Sequence, residues 1–262
     1  MYQIKNYLDH VDLKYLQAFA LRAKSLKERS YELMHLQVGH RVLDLGCGPG
    51  IDTIPLAQFV GRTGQVIGLD IDNKMIEEAN KKAIDAGVTD WVIHKHIDAN
   101  SIPYHSEHFD SCRSERLLQH VAIPGQILSE MVRVTRPGGW IVVADTDQST
   151  LSIDTPDVDI EWKLRRFRTE IFKNGYIGRQ LYRLFRMQNL TDINIEIFPF
   201  FSTDYSITRY GALLDKVENE AVTAGIITEE ELRRWHTNLE RANEEGVYFG
   251  CTIMVLIAGR KS

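Results

Sequence analysis

The chain has few cysteines, no surplus of positive charge and no long apolar run. Its three cysteines among 262 residues form no C-x-x-C pair, so neither a disulfide framework nor a zinc site is indicated. A net charge of −5 argues against a general nucleic-acid binder. No stretch approaches the roughly 18 apolar residues of a membrane span, and no apolar segment opens the chain. We therefore expect a reduced, cytoplasmic protein with no metal, nucleic-acid partner or membrane span.

A glycine-rich turn follows the first apolar strand of the sequence. Residues 42 to 50 read VLDLGCGPG, with glycines at 46, 48 and 50 ahead of a helical pattern. Glycine has no Cβ and accepts positive φ, which lets backbone amides come close to a ligand. Since ligands of open α/β sheets bind at the carboxyl ends of parallel strands, this turn predicts a cofactor cradle.

The spacing of the glycines separates two cofactor classes. A dinucleotide fold requires G-x-G-x-x-G, and Ile51 stands where its third glycine would be. Asp44, two residues before the first glycine, suits a positively charged ligand and repels a diphosphate. S-adenosylmethionine carries a sulfonium and an ammonium group and no phosphate. Asp70, at the end of the next apolar run, predicts the ribose contact that both classes use.

Five motifs follow one another in a familiar order: VLDLGCGPG, GLDID, HKHID, FDSCRSERLLQHV and RVTRPGGWIVVAD. They resemble the class I S-adenosylmethionine-dependent methyltransferases, and within these the small-molecule group that includes ubiquinone and menaquinone C-methyltransferases. The resemblance is strong over residues 38 to 147 and afterwards reduces to the general layout of the fold. It implies S-adenosyl-L-methionine as cofactor and methyl transfer as activity, and it leaves the acceptor open.

Apolar strands alternate with helical patterns over the first 150 residues, which indicates βαβ units and a parallel sheet. The predicted fold is α/β, a three-layer αβα Rossmann-like sandwich whose seven-stranded sheet is mostly parallel, with the antiparallel last strand of the resembled family. Strands are expected near 41 to 45, 65 to 70, 91 to 97, 109 to 113, 140 to 145, 193 to 200 and 248 to 258. Residues 1 to 262 are expected to form one domain, with a helical cap (1 to 37), a cofactor-binding core (38 to 147) and substrate-side helices and closing strands (148 to 262).

The predicted cofactor contacts lie at the ends of the first four strands. Asp44 either approaches the cofactor or braces the glycine loop by accepting backbone hydrogen bonds. Asp98 follows the third strand, where the family accepts a hydrogen bond from the adenine amino group; a solvated aspartate is the alternative. Ile71 and Met75 either wall the adenine pocket or belong to the core. The predicted set is Asp44, Gly46, Cys47, Gly48, Asp70, Ile71, Met75, Asp98, Ala99, Ser114 and Glu115.

Four members of this set are expected to act through size or backbone. Cys47 is interpreted as a small residue that fills the loop, not as a nucleophile. Ala99 leaves room for the adenine ring. Ser114 and Glu115 are expected to contact the methionine part of the cofactor through their main chains, as the resemblance implies.

His120 is the candidate catalytic residue. It stands at the frequent L-x-H position of the family, close to where the methyl group is presented. A histidine of near-neutral pKa can accept a proton from a substrate hydroxyl, amine or enol. The alternative is a helix histidine that only shapes the pocket. His94 and His96 share one face of a strand, yet no third ligand is evident, so they are interpreted as ordinary strand-end histidines.

Substrate selection is expected from the cap and the later insertions, since these cover the carboxyl edge of the sheet. The segment from 145 to 147 is expected to follow the fifth strand. The basic and aromatic segment 162 to 168 either binds an acidic group or forms a solvated helix face. The predicted substrate contacts are Tyr7, Asp145, Tyr176 and Arg179.

The expected reaction is an in-line displacement by a carbon, oxygen or amine-nitrogen acceptor on a small molecule. The Asn/Asp-Pro-Pro-Tyr/Phe tetrapeptide of amide and adenine N-methyltransferases is absent from the fourth strand, which disfavours planar nitrogen. Two alternatives stay open: an enzyme that keeps the cofactor for a cyclisation, decarboxylation or rearrangement, and a regulatory cofactor-binding module. A homodimer is possible.

Overall fold

A computed structural model describes residues 12 to 262 of the chain, so the predicted substrate contact Tyr7 lies outside the described residues. No helix within residues 12 to 262 is long and apolar enough to cross a membrane. The strands are β1 Arg41–Leu45, β2 Gln65–Asp70, β3 Val92–His96, β4 Phe109–Glu115, β5 Thr135–Ile153, β6 Thr191–Ser202 and β7 Gly250–Arg260. The helices are α1 Leu13–Arg22, α2 Lys24–Glu32, α3 Thr53–Val60, α4 Asn73–Asp85, α5 Pro124–Val134, α6 Val158–Ile171, α7 Ile177–Met187, α8 Tyr205–Gly211, α9 Leu214–Thr223 and α10 Glu229–Glu244, with a 3₁₀ turn at Leu118–His120.

The strands form one seven-stranded sheet in the order β3-β2-β1-β4-β5-β7-β6. The first five strands pair in parallel, and β7 runs antiparallel between β5 and β6. This topology confirms the predicted fold class, including the antiparallel last strand. The reversal of strand order between β1 and β4 places a crevice at the carboxyl ends of these two strands, where ligands of open α/β sheets bind.

Alternation along the strands explains the three layers. Successive strand residues point to opposite faces, so a parallel strand covered on both sides is apolar throughout. In β1, Leu43 and Leu45 pack with α5 and α7, whereas Val42 packs with α2, α3 and α4. A third apolar cluster, which includes Leu164 and Trp235, packs the late helices α6, α9 and α10 against the far end of β5.

The fifth strand is longer than the sequence predicts. It runs over nineteen residues and includes the 145 to 147 segment that was expected to follow it, so that expectation was wrong. The reason is non-local: β7 pairs antiparallel with β5 from Trp140 to Ile153, with a bulge between Asp147 and Ser152. Pairing with this neighbour extends the strand beyond the apolar run that predicted it.

Gly68, in the middle of β2, is required by the packing beneath the glycine loop. A Cβ at this position would lie 2.8 Å from Cys47 Sγ and 2.7 Å from His94 Cδ2. The His94 ring cannot move freely, because its Nε2 bonds Thr53 Oγ1 at 2.8 Å and its Nδ1 bonds Asn80 Oδ1 at 3.2 Å. The strand therefore leaves space for the loop by omitting a side chain.

Gly68→Ala should lower the free energy of unfolding by about 1–3 kcal/mol, since overpacking a closed site forces its neighbours to shift. Denaturant titration measures this. The matched control is Gly125→Ala in α5, where a Cβ meets only Leu184 Cδ2 at 3.8 Å and helix propensity favours alanine. Equal stability of the Gly68→Ala and Gly125→Ala variants would contradict the packing argument.

Candidate active site

The glycine loop bends across the carboxyl end of β2. The amides of Gly46 and Cys47 both donate to the Leu69 carbonyl, at 2.8 and 3.0 Å. Gly48 has a φ of 51°, and a Cβ there would meet nothing within 4 Å. Positive φ accounts for the glycine at this position, and the open space beside it is a cradle in which a ligand can approach the backbone.

Asp70 fixes this loop to the end of β2. Its Oδ2 accepts a hydrogen bond from the Gly48 amide at 2.8 Å, and its Oδ1 accepts one from the Asp72 amide at 2.9 Å. Burial raises the pKa of Asp70, while these two amides act in the opposite direction. The carboxylate therefore sets the loop conformation, and the ribose contact remains a prediction.

A buried charge cluster lies behind the loop and joins α2, β1, α3 and β4. Arg113 pairs with Asp44 at 3.2 Å, with Asp52 at 3.0 Å and with Glu115 at 2.7 Å. Lys27 pairs with Asp52 at 2.8 Å and with Glu115 at 2.6 Å. The Tyr31 hydroxyl donates to Asp52 at 2.5 Å. We call these six residues the charge cluster.

Three carboxylates of the charge cluster face two cations, so the cluster carries one unbalanced negative charge when all its acids are ionised. Among the described residues, no group bonds the buried Asp44 Oδ2 or the buried Ser114 Oγ. These orphan atoms lie at the ends of neighbouring strands, because Leu45 pairs with Ser114. Burial raises the pKa of Asp44 to about 7, against the opposing effect of Arg113. A cationic ligand would satisfy this carboxyl, so the residues fit a sulfonium- and ammonium-bearing cofactor.

A cavity of about 530 Å³ begins beside the end of β4. Its floor is the extended part of the sheet, with Thr146 of β5 and Met254 of β7, and its walls come from α1, α6 and α8. This volume lies in the range of small-molecule sites. Arg116 and His120, which follow β4, line its inner end.

Residues 36–188 match a family model described as a methyltransferase domain, which is more than half of the chain. The chain belongs to this family. Over 94% of its length it is 33% identical to an uncharacterised 37.1 kDa protein in transposon Tn4556 of Streptomyces fradiae, of which it covers 71%. Over 78% of its length it is 36% identical to a demethylmenaquinone methyltransferase of Oceanobacillus iheyensis, of which it covers 82%. The solved structure of the YcgJ protein of Bacillus subtilis shares the fold at a TM-score of 0.65 and 20% identity, covering 91% of this chain and 98% of that one.

The family confirms the class that the five motifs predict, and the cofactor of this methyltransferase is S-adenosylmethionine. The predicted cofactor residues all lie along the carboxyl edge of β1 to β4. Ile71 is 65% exposed beside Asp70, and Met75 is half-buried on α4. Asp98 is exposed and accepts a hydrogen bond from the Asn100 amide at 2.9 Å, while half-buried Ala99 packs against the core.

Cys47 is buried, and its thiol lies where a side chain of Gly68 would be. Burial raises the pKa of this thiol well above its usual value, so the thiolate is not formed near neutral pH. The residue fills space under the loop of the methyltransferase.

His120 lines the cavity of the methyltransferase. It ends the 3₁₀ turn after β4, and its ring lies 5.7 Å from that of Phe172. Burial, together with the positive charges of Arg116 and Lys173, lowers the pKa of His120 to about 4. The imidazole is therefore neutral at physiological pH and can accept a proton there.

The three predicted substrate contacts within residues 12 to 262, Asp145, Tyr176 and Arg179, do not line the cavity. Asp145 is fully buried inside β5, where its Oδ2 accepts a hydrogen bond from the Gln119 amide at 3.2 Å and so braces the turn that carries His120. Burial raises the pKa of Asp145 to about 7. Arg179 is exposed and pairs with Asp147 at 2.5 Å, and its guanidinium lies 5.2 Å from the centre of the exposed Tyr176 ring.

His94 and His96 each bond neighbouring groups of the described chain. His94 bonds Thr53 and Asn80 beneath the loop, and His96 bonds the Ile71 carbonyl at 2.7 Å. Within residues 12 to 262, no group of three or more His, Cys, Asp or Glu side chains is arranged to hold a metal ion.

Lys27, Arg113 and Arg116 are functional candidates that the sequence analysis did not single out. Arg168 was named only as part of the basic segment 162 to 168, and it is the arginine of that segment that is buried and lines the cavity. The sequence does indicate that Arg113 is unusual. It lies within a strand between buried neighbours, and a charged side chain in such a position needs partners of opposite charge. The partners of Lys27, by contrast, lie 25 and 88 residues further along the chain and leave no local pattern.

Asp70→Ala should weaken S-adenosylhomocysteine binding about ten- to a hundredfold, because hydrogen bonds to a charged acceptor typically contribute about 1.5–3 kcal/mol. The loss combines the predicted ribose contact with release of the Gly48 amide. Calorimetric titration of the folded variant measures it. The matched control is Asp90→Ala, which removes an exposed carboxylate just before β3 begins, at the edge of the sheet away from Asp70. This variant should bind S-adenosylhomocysteine as tightly as the wild type does. An unchanged dissociation constant for Asp70→Ala would place the cofactor elsewhere.

Proposed function

We propose that this methyltransferase transfers a methyl group to a carbon, oxygen or amine nitrogen of a small molecule bound in the cavity. The observation that carries the proposal is that Arg116 and His120, which line the cavity, directly follow the end of β4 with the predicted cofactor contacts Ser114 and Glu115. S-adenosylmethionine supplies an electrophilic methyl group on a positively charged sulfur. The relative from Oceanobacillus iheyensis is named for an acceptor of small-molecule type.

The protein contributes mainly by positioning, since displacement at a methyl group needs alignment and exclusion of water. Arg116 follows β4, lines the cavity and has left-handed backbone geometry, with a φ of 55°. Its guanidinium lies 4.1 Å from the centre of the Phe19 ring and 5.3 Å from that of Tyr15, both on α1. These contacts join α1 to the segment after β4 along the wall of the cavity.

His120 is the proposed general base. In its neutral form the imidazole accepts a proton from the acceptor's hydroxyl, amine or enol as the methyl bond forms. Its lowered pKa makes it a weak base that is always available near neutral pH, and Asp145 and Gln119 keep its turn in place. An acceptor that arrives deprotonated needs no base, and His120 then only shapes the pocket.

Incubation with S-adenosylmethionine labelled in its methyl group, followed by untargeted detection of labelled products from a metabolite extract, tests the proposal. We expect label in a small molecule. Binding of S-adenosylhomocysteine without label in any product would favour a reaction that keeps the methyl group on the cofactor, or a regulatory role.

His120→Ala should lower kcat by about a hundredfold or more while leaving cofactor affinity nearly unchanged, because a positioned base contributes on that scale. The depressed pKa sets the pH window: the active neutral form persists well below pH 6.5 and is lost only as pH falls through about 4. The rate of the wild type should therefore show no histidine step near pH 6.5.

The exposed His105, which bonds the Ser106 carbonyl at 2.8 Å, provides the matched control, and His105→Ala should leave kcat unchanged. A change in kcat of less than about fivefold for His120→Ala, in a variant of normal thermal stability, would reject the base and leave positioning as the role of the residue.

A further inference from the structure

Arg168 of α6 is a buried cation on the wall of the cavity, and its hydrogen-bond partners within residues 12 to 262 are all neutral. It is 7% exposed. Its Nε donates to the Ala212 carbonyl at 3.3 Å, and its Nη1 donates to the carbonyl of Gln148 and to the side-chain Oε1 of the same residue. Its Nη2 donates to no group within residues 12 to 262. Buried charges in proteins are normally paired, yet no carboxylate among residues 12 to 262 pairs with this guanidinium.

Arg113 shows what a buried arginine of this chain looks like when its charge is balanced. It is 1% exposed, and three carboxylates surround it, from Asp44, Asp52 and Glu115. The overall charge of −5 means that acids are not scarce in the sequence. The absence of an acidic partner at Arg168, among the described residues, is therefore a local property of the cavity.

Arg116 brings a second positive charge to the same cavity. Its guanidinium is held by Phe19 and by the Tyr15 hydroxyl, to which Nη2 donates at 3.3 Å, and it pairs with no carboxylate of the described chain. Arg116 is close enough to Arg168 to help lower the pKa of Arg168 to about 10, although burial is the larger cause. The two guanidinium groups thus repel one another, and no carboxylate lies between them among the described residues that line the cavity.

The remaining wall of the cavity is mostly apolar. No Asp or Glu occurs among the described residues that line it, and a third arginine, Arg22, lies at its side. Large apolar side chains cover much of the surface. They include Phe19, Leu151, Ile171, Phe172, Phe200 and Met254.

We propose that the cavity binds an amphiphilic anion, with a carboxylate or phosphate head bonded by Arg168 and Arg116 and an apolar body against the aromatic wall. This assignment rests on the proposed function, because it identifies the bound anion as the methyl acceptor. An anionic head would use the free donors of both guanidinium groups and remove the repulsion between them. His120 and the end of β4 lie at the inner end of the same cavity, so the bound molecule faces the methyl-transfer site.

Three probes of equal chain length test the assignment on the complex of the full chain with S-adenosylhomocysteine. Calorimetry compares octanoate, octyl phosphate and the neutral 1-octanol. We expect at least one of the two anions to bind about tenfold or more tightly than the alcohol, as charge-assisted hydrogen bonds predict. The tighter of the two anions identifies the head as carboxylate or phosphate.

Arg168→Gln should remove most of this preference, with about a tenfold loss or more for the anion and little change for 1-octanol. Arg168→Lys should keep part of it. Arg166→Gln is the matched control, two residues away on the exposed side of α6, where Arg166 pairs with Glu170 at 2.8 Å. If Arg168→Gln does not fold, Arg116→Gln gives the same comparison, with affinity for S-adenosylhomocysteine verifying that the site is intact.

Equal binding of the alcohol and both anions, or an equal loss for all probes in Arg168→Gln, would overturn the assignment. The binding measurement does not depend on turnover. Anion binding without methyl transfer to any acceptor would therefore contradict the proposed function but support the anion site. Methyl transfer to neutral acceptors, with no preference for the anionic probes, would support the proposed function and contradict the anion site.

Discussion

The buried pairing of Arg113 with three carboxylates is the constraint on which the site depends. Arg113 lies in the middle of the sheet, and its partners belong to β1, to the segment before α3 and to the end of β4. Lys27 extends the same contacts to α2. Removing one partner from a buried pair typically costs about 3–5 kcal/mol, because it leaves a charge unpaired. The charge cluster therefore stabilises the segments on either side of the glycine loop, because separating its buried charges would cost several kcal/mol.

Charge divides the carboxyl edge of the sheet into two regions of opposite character. Behind the glycine loop, the charge cluster contains more carboxylates than cations, and Asp44 Oδ2 accepts no hydrogen bond from the described residues. In the cavity beyond β4, Arg116 and Arg168 have no acidic partner in the described chain. A cationic cofactor would be attracted to the acidic region behind the glycine loop, and an anionic acceptor to the basic region in the cavity. The two regions adjoin at the end of β4, which carries Ser114 and Glu115. These opposite charges also disfavour the reversed arrangement, in which the cofactor would occupy the cavity and the acceptor would lie against the glycine loop.

Local pattern was enough to predict the part of the fold that is locally determined. Each of the first four strands was recognised as a short apolar run, and the glycines at 46 and 48 do have positive φ. The length of β5 escaped prediction because it depends on antiparallel pairing with β7, about a hundred residues away. His120 came from a motif, and the structure does place it on the cavity wall.

The substrate side was less predictable for a physical reason. Arg166 and Arg168 stand two residues apart on α6 in the same basic segment, and only the packing of that helix decides that the first is exposed and the second buried. Asp145 and Arg179 were both predicted to contact the substrate. In the structure Asp145 is buried within the sheet, and Arg179 pairs with Asp147 at the surface. Tertiary contacts, not composition, select the residues that face the acceptor.

We infer that the glycine loop, Asp70 and the charge cluster form a site for S-adenosylmethionine and not for a dinucleotide. Calorimetric titration of the full chain with S-adenosylhomocysteine and, separately, with NAD and NADP tests it most directly. We expect one S-adenosylhomocysteine site of roughly micromolar affinity and no useful affinity for either nicotinamide cofactor. Micromolar binding of NAD or NADP with no binding of S-adenosylhomocysteine would contradict it.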